Sequence, residues 1–251
     1  MTSASLYAVV PAAGIGTRMG ADRPKQYLML QDKTILEHTL EQLLQFSPIE
    51  KIILPVASDD AYLAQLSVAS HPKIVCCDGG KERYHSVLNG LKTLLDGGAQ
   101  RHDWVMVHDV ARPCIRQQDL TNLYKHASEQ GVVLGVQVRD TMKRTDDKGQ
   151  VVNTVARQNL WHALTPQLAP LGILLDAIEQ AVKDGVAVTD EASALEHSGY
   201  RPIMLAGHPS NIKVTHPQDL QLAAAFLAMN VQPSPDSLPH PPTRNTRCPT
   251  A

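Results

Sequence analysis

Three glycines and two cations near the start of the chain carry its strongest chemical signal. Gly14, Gly16 and Gly20 fall in Pro11-Ala-Ala-Gly-Ile-Gly-Thr-Arg-Met-Gly20, directly after the apolar run Leu6 to Val10. Glycines let the backbone turn tightly, and successive N–H groups can then cradle an anion. Arg18 lies inside this segment. Lys25 lies just beyond it, in Arg23-Pro-Lys-Gln26. Two cations beside a phosphate cradle suit an enzyme that stabilises charge building on a transferring phosphate. The bland alternative is a glycine turn with a solvated Arg and Lys. No Gly-Lys-Ser/Thr follows, so the segment is not a Walker loop. Gly14-x-Gly16 imitates a dinucleotide fingerprint, but the third glycine comes one position late. By itself the loop reads as a site that binds a nucleoside triphosphate and transfers its nucleotidyl group.

Other turns carry polar residues of the same kind. Gly80, Arg83 and Ser86 form a second turn-to-helix junction, with a small hydroxyl and backbone donors. An N-cap region for the following helix is the structural alternative. Asp109 follows the apolar run Trp104-Val-Met-Val-His108. A carboxylate above an anion site is unfavourable unless a metal or substrate hydroxyls compensate. A plain ion pair with Arg112 is the simpler reading. Lys213, in Ile212-Lys-Val214, could snorkel to solvent. Asp190 and Glu191 stand where a helix dipole favours acids, and a structural role is expected for them. Cys76, Cys77, Cys114 and Cys248 show no metal spacing and read as small buried hydrophobes.

The elements around these turns alternate. Strands are expected over Leu6 to Pro11, Lys51 to Val56, Lys73 to Cys77, Trp104 to His108, Val132 to Val138 and Pro202 to Leu205. Helical stripes run over Ile35 to Phe46, Ala61 to Val68, His85 to Leu95, Leu120 to Glu129, Leu168 to Val182, Thr189 to His197 and Pro217 to Met229. This rhythm predicts an α/β fold with a doubly wound, mostly parallel sheet, whose ligands sit beyond the carboxyl ends of the strands. The rhythm breaks at about residues 140–158. There Asp147-Lys-Gly149 reads as the turn of a protruding β-arm, which would need a second subunit to cover it. Residues 1–230 are expected to form one domain that includes the arm, and residues 231–251 a disordered Pro-rich tail.

The net charge is −2 over 251 residues. That is no basic field for nucleic acid, so no nucleic-acid partner is expected. No apolar stretch reaches the length of a membrane span and no secretory signal is legible, so the expected location is cytoplasmic, away from membranes.

The loop Pro11 to Gly20 with Pro24-Lys-Gln26 resembles the signature of nucleotidyltransferases with a Rossmann-like fold. Six further motifs narrow it. They are Asp78-Gly-Gly-x-x-Arg-x-x-Ser86, His108-Asp-x-Ala-Arg-Pro113, Asp140-Thr-x-Lys143, Leu160-Trp-x-Ala-x-Thr-Pro-Gln167, Thr189-Asp-Glu-Ala192 and Asn211-Ile-Lys-Val-Thr215. In this order they resemble the 2-C-methyl-D-erythritol 4-phosphate cytidylyltransferase family. The resemblance implies transfer of CMP from CTP to methylerythritol phosphate, Mg²⁺ or another divalent cation, and a homodimer through the β-arm. It implies catalytic roles for Arg18, Lys25, Arg157 and Lys213, the last two on the acceptor phosphate. Ala12, Ala13, Gly14, Gly16, Gly80, Arg83, Ser86, Asp109, Val110, Arg112, Thr141 and Thr165 would surround nucleotide or substrate. Mg²⁺ would ride on the CTP phosphates, with Asp109 as its nearest protein candidate. The arm would carry Thr141 and Arg157 into the neighbouring subunit's site. One departure stands out: the family's turn reads Asp-Ala-Ala-Arg-Pro, and here Val110 takes the second position.

Three rivals remain at this point. A cytidylyltransferase acting on ribitol 5-phosphate would use the same loops. A nicotinamide-dependent oxidoreductase needs an acid about 20 residues past its glycines, and Asp59 and Asp60 come too late. A silent nucleotide-binding protein would have little use for Arg18, Lys25, Asp109, Arg157 and Lys213 together.

Overall fold

The structure, a computed structural model, describes residues 4–14 and 23–230. Gly16, Gly20, Arg18 and the tail 231–251 lie outside the described residues. Seven strands form the central sheet: β1 (Leu6–Val9), β4 (Ile49–Val56), β5 (Ile74–Asp78), β6 (Trp104–Val107), β7 (Val132–Gln137), β10 (Trp161–Pro170) and β11 (Ile203–Ala206). Their order is β11-β7-β10-β6-β1-β4-β5. All neighbours are parallel except β10, which runs antiparallel to both β6 and β7. The sheet is therefore mixed and mostly parallel, as the alternation predicts.

The period of two along each strand builds a core on both faces. Leu6, Ala8 and Val10 of the first strand and its exit pack with Met106 on one face. Val9, Val105 and Val107 pack on the other. Helices α1 (Ile35–Leu44) and α3 (Gln117–Lys125) cover the first face through Leu36, Leu40, Leu43, Leu120 and Leu123. Helices α2 (Arg83–Asp96) and α4 (Leu171–Lys183) cover the second through Val87, Leu91, Leu171, Leu174 and Ile178. A capping box starts α1: Thr34 accepts from the Glu37 amide, and the Glu37 carboxylate accepts from the Thr34 amide at 2.8 Å. Two short strands, β2 (Met29–Leu30) and β3 (Lys33–Thr34), pair ahead of it. Helix α5 (Glu191–His197) packs against α4. Helix α6 (Pro217–Asn230) closes a smaller cluster with Leu30, Ile35 and Val214.

Several expectations are corrected. Ala61 to Val68 forms two 3-10 turns, Leu63–Gln65 and Ser67–Ser70, not a helix. The expected helix from Leu168 begins at Leu171, because Leu168 and Ala169 belong to β10, a strand the periodicity missed. Cys114 is buried, but Cys76 is exposed, because β5 is an edge strand of the sheet. Within the break in the rhythm, β8 (Met142–Thr145) pairs antiparallel with β9 (Val151–Val155) as a separate two-stranded sheet. Gly149 turns between them at φ 78°, a left-handed conformation that suits glycine. Val151 and Val152 on this hairpin are 60% and 64% exposed.

Candidate active site

Strand exits converge on one cleft of about 580 Å³. Pro11, Ala13 and Gly14 reach it from β1. Gly80, Arg83 and Ser86 reach it from β5 and the start of α2. Asp109, Val110 and Ala111 reach it from β6. Lys25 and Gln26 enter on a 3-10 turn, Lys25–Tyr27, and Lys213 enters on the segment ahead of α6. Two of these exits lie close together: a Cβ at Gly79 would fall 2.3 Å from the Ala13 Cβ. Only a residue without a side chain lets the β1 and β5 turns approach this far.

Asp109 organises the charges. Its Oδ1 accepts from Arg83 Nε at 2.9 Å, and its Oδ2 meets Lys213 Nζ at 2.9 Å and Arg112 Nε at 3.3 Å. Arg83 also makes a forked pair with Glu191, at 2.7 and 3.2 Å. Burial alone would raise the Asp109 carboxyl. The Arg83, Lys213 and Arg112 charges outweigh it and hold the group far below the usual carboxylate range. Burial lowers the Arg83 guanidinium, yet Glu191 and Asp109 raise it on balance. The five groups carry three positive and two negative charges, so an incoming phosphate meets a surplus of cation.

The turn that carries Asp109 is itself locked. The Arg112 carbonyl can only accept, so His108 Nε2 carries the proton that reaches it at 3.1 Å. His108 Nδ1 is then an acceptor for the Thr165 hydroxyl at 3.0 Å. The Thr165 oxygen in turn accepts from the Asp109 amide at 3.0 Å. Burial pushes His108 down to about 4, so the ring is neutral at pH 7. Asn211 donates to the Thr165 carbonyl at 2.7 Å, and its own carbonyl accepts from Arg112 at 2.8 Å.

The expected site residues divide accordingly. Ala13, Gly14, Lys25, Gly80, Arg83, Ser86, Asp109, Val110 and Lys213 line the cleft together. Ala12, Arg112 and Thr165 are buried behind its wall. The Gly80 amide donates to Ser86 Oγ at 3.0 Å, so one donor of that turn is already engaged. Val110 is buried, and its side chain packs in the core under α1. Thr141 and Arg157 are exposed and do not line the cleft. Arg157 bonds the Arg139 carbonyl instead. Gln26, His108 and Asn211 gained no role from the sequence. Their signal was their place in the motifs: Gln26 follows Lys25, His108 precedes Asp109, and Asn211 stands two positions before Lys213.

Over residues 6–229 the chain matches the family model described as 2-C-methyl-D-erythritol 4-phosphate cytidylyltransferase. It is 52% identical over 226 residues to the protein of that name from Vibrio vulnificus strain CMCP6, covering 89% of this chain and 95% of the relative. A relative of the same name from Mannheimia succiniciproducens is 50% identical, over 90% of this chain and 97% of its own. The crystal structure of Francisella tularensis 2-C-methyl-D-erythritol 4-phosphate cytidylyltransferase aligns with a TM-score of 0.75 at 37% identity, covering 88% of this chain and 99% of that one. A crystal structure of 4-diphosphocytidyl-2C-methyl-D-erythritol synthase aligns at 0.78 with 34% identity, covering 90% of this chain and all of the other. A mixed α/β sheet with its cleft at the strand exits and a match across nearly the whole chain lead to one conclusion: this chain belongs to the 2-C-methyl-D-erythritol 4-phosphate cytidylyltransferase family.

Proposed function

We propose that this protein transfers the cytidylyl group of CTP to 2-C-methyl-D-erythritol 4-phosphate in isoprenoid precursor synthesis, releasing pyrophosphate. The observation that carries the reading is the meeting of Lys25, Arg83, Asp109 and Lys213 on one cleft beyond the strand ends. An acceptor phosphate oxygen attacks the α-phosphorus in line. A new P–O bond forms there as the bond to the β-phosphate bridging oxygen breaks. A phosphate monoester is already anionic near neutral pH, so no strong base is needed. The remaining work is positioning and charge stabilisation. Lys25, with Arg18, takes charge that builds on the α-phosphate, and Lys213 holds the acceptor. The turn at Gly80, Arg83 and Ser86 receives the nucleoside.

A divalent cation suits this cleft in one arrangement. Among the described residues there is no group of three or more metal-ligating side chains. Mg²⁺ is commonly held by one or two carboxylates together with substrate phosphates. Asp109 is the carboxylate that would share it, the triphosphate supplying the other oxygens. When bound, the ion neutralises triphosphate charge.

We also read the β8–β9 hairpin as a dimer arm that brings Thr141 and Arg157 to the neighbouring subunit's acceptor site. The support is chemical: an arginine suited to phosphate, and two valines turned to solvent on the same hairpin. Cytoplasmic residence matches two highly charged metabolites as substrates. No helix among the described residues is long and apolar enough to cross a membrane. Ribitol 5-phosphate is not favoured as acceptor, since relatives at about 50% identity carry the methylerythritol phosphate name. Pyrophosphate release from CTP, measured with each polyol phosphate and Mg²⁺, tests the assignment. Turnover only with ribitol 5-phosphate, or with neither, would overturn it.

A further inference from the structure

Gln26 is 2% exposed, yet it belongs to the turn that brings Lys25 into the cleft. Its Nε2 donates to the Ala12 carbonyl at 2.6 Å. A carbonyl can only accept, so the amide orientation is fixed by its partner. Ala12 stands where the glycine-rich segment leaves β1, and Gln26 stands where the chain returns fourteen positions later. One buried bond therefore ties the two ends of the phosphate-binding segment. Ala12 is anchored in turn, its amide donating to the Pro55 carbonyl at 2.8 Å. The outer side of the Lys25 turn is held as well. The Tyr27 hydroxyl donates to Asp60 Oδ2 at 2.6 Å, and the Tyr27 ring stacks on Tyr62 with centroids 5.1 Å apart. Asp60 Oδ1 accepts from the Tyr62 and Leu63 amides at 2.9 Å.

We propose that Gln26 is a positioning residue for nucleotidyl transfer, clasping the Lys25 turn to the base of the phosphate-binding segment through the Ala12 carbonyl. The proposal rests on the reading of Lys25 as a catalytic residue. A lysine on a four-carbon stem loses its aim when the turn beneath it shifts, and a displacement near 1 Å costs about 10²-fold in rate. Gln26→Met keeps the length and the burial but deletes the donor.

The test is a double-mutant cycle in single-turnover pyrophosphate release, with enzyme in excess over CTP so that slow variants remain measurable. Lys25→Ala, Gln26→Met and the double variant are compared with the parent, and thermal melts check folding. Gln26→Met is expected to lower the saturated single-turnover rate by about 10²-fold with little change in the enzyme concentration that gives half-saturation. In the Lys25→Ala background the same change should cost no more than about twofold, the tolerance for independent effects. An equal loss in both backgrounds would mean a general structural role and overturn the proposal, as would normal turnover in Gln26→Met. If Lys25→Ala is slow while Gln26→Met is normal, only this inference fails. If Lys25→Ala is itself normal, the lysine reading falls and takes this inference with it. Should Gln26→Met fail to fold, Gln26→Leu replaces it in the cycle, deleting the same donor with a shorter buried side chain, and is judged by the same additivity.

Discussion

Lys213 and His108 stand on either side of Asp109 and do opposite things. Lys213 spends its resting charge on Asp109 at 2.9 Å while 37% of its side chain is exposed. Its ammonium is thus open to solvent, where a phosphate can reach it, while Arg83 and Arg112 stay on Asp109. A charge-assisted bond is worth about 1.5–3 kcal/mol. Lys213→Ala should accordingly raise KM for the polyol phosphate by about tenfold or more, with KM for CTP nearly unchanged. Equal rises in both constants would remove the acceptor role. His108 is fully buried and neutral, with every ring nitrogen engaged. Its pKa is about 4 in the folded chain and 6.5 as a free side chain. The folded state thus binds fewer protons than the unfolded state in that window. The resulting stability is complete above about pH 6.5 and is lost as the pH falls towards 4, on the order of 3 kcal/mol in all. His108→Gln should flatten this acid limb in urea unfolding curves taken at pH 7 and pH 4.5. An unchanged slope against pH would show that other groups carry it.

At the scale of elements, the hairpin and β10 show how far sequence pattern reaches. Strands β8 and β9 form a sheet of their own, apart from the central one, so excising residues 142–155 for a short Gly-Ser linker should leave the central sheet folded. If the arm reading holds, sedimentation will find a monomer, and turnover will fall with it. A stable dimer after excision would refute that reading. The helices α1, α2 and α4 were legible because their apolar residues repeat at helical spacing and each buries one stripe. Strand β10 was not legible. It contains Thr165-Pro-Gln167, and a proline with polar neighbours reads as a loop. Its polar side chains are tolerated in the centre of the sheet because distant residues satisfy them. Gln167 donates to Asp190 at 2.9 Å and accepts from the Ala192 amide at 2.7 Å. Thr165 is taken up by His108 and Asp109. The same limit applies to the site. Motifs marked Lys25, Asp109 and Lys213, but Arg83 and Glu191 are 108 positions apart, and no local pattern could join them.

Over the whole molecule, the sheet is two parallel blocks. Strands β5, β4, β1 and β6 form one, and β7 with β11 forms the other. Within the sheet only β10 joins them, and its ladder to β7 shifts register between Ala163 and Gln167. The sheet therefore has a seam. Deuterium should enter the backbone amides of Ile203–Ala206 at the far edge well before those of Ala8, Val9 and Val105–Val107, with the smaller block opening as a unit of its own. Uniform protection across both blocks would mean that the seam is welded. Thr165, which grips the Asp109 amide, lies within that interval. The bond from the Asp109 amide to Thr165 thus runs from the larger block to the strand that joins the two, so the aim of the Asp109 turn is tied to the stretch of sheet where the register breaks.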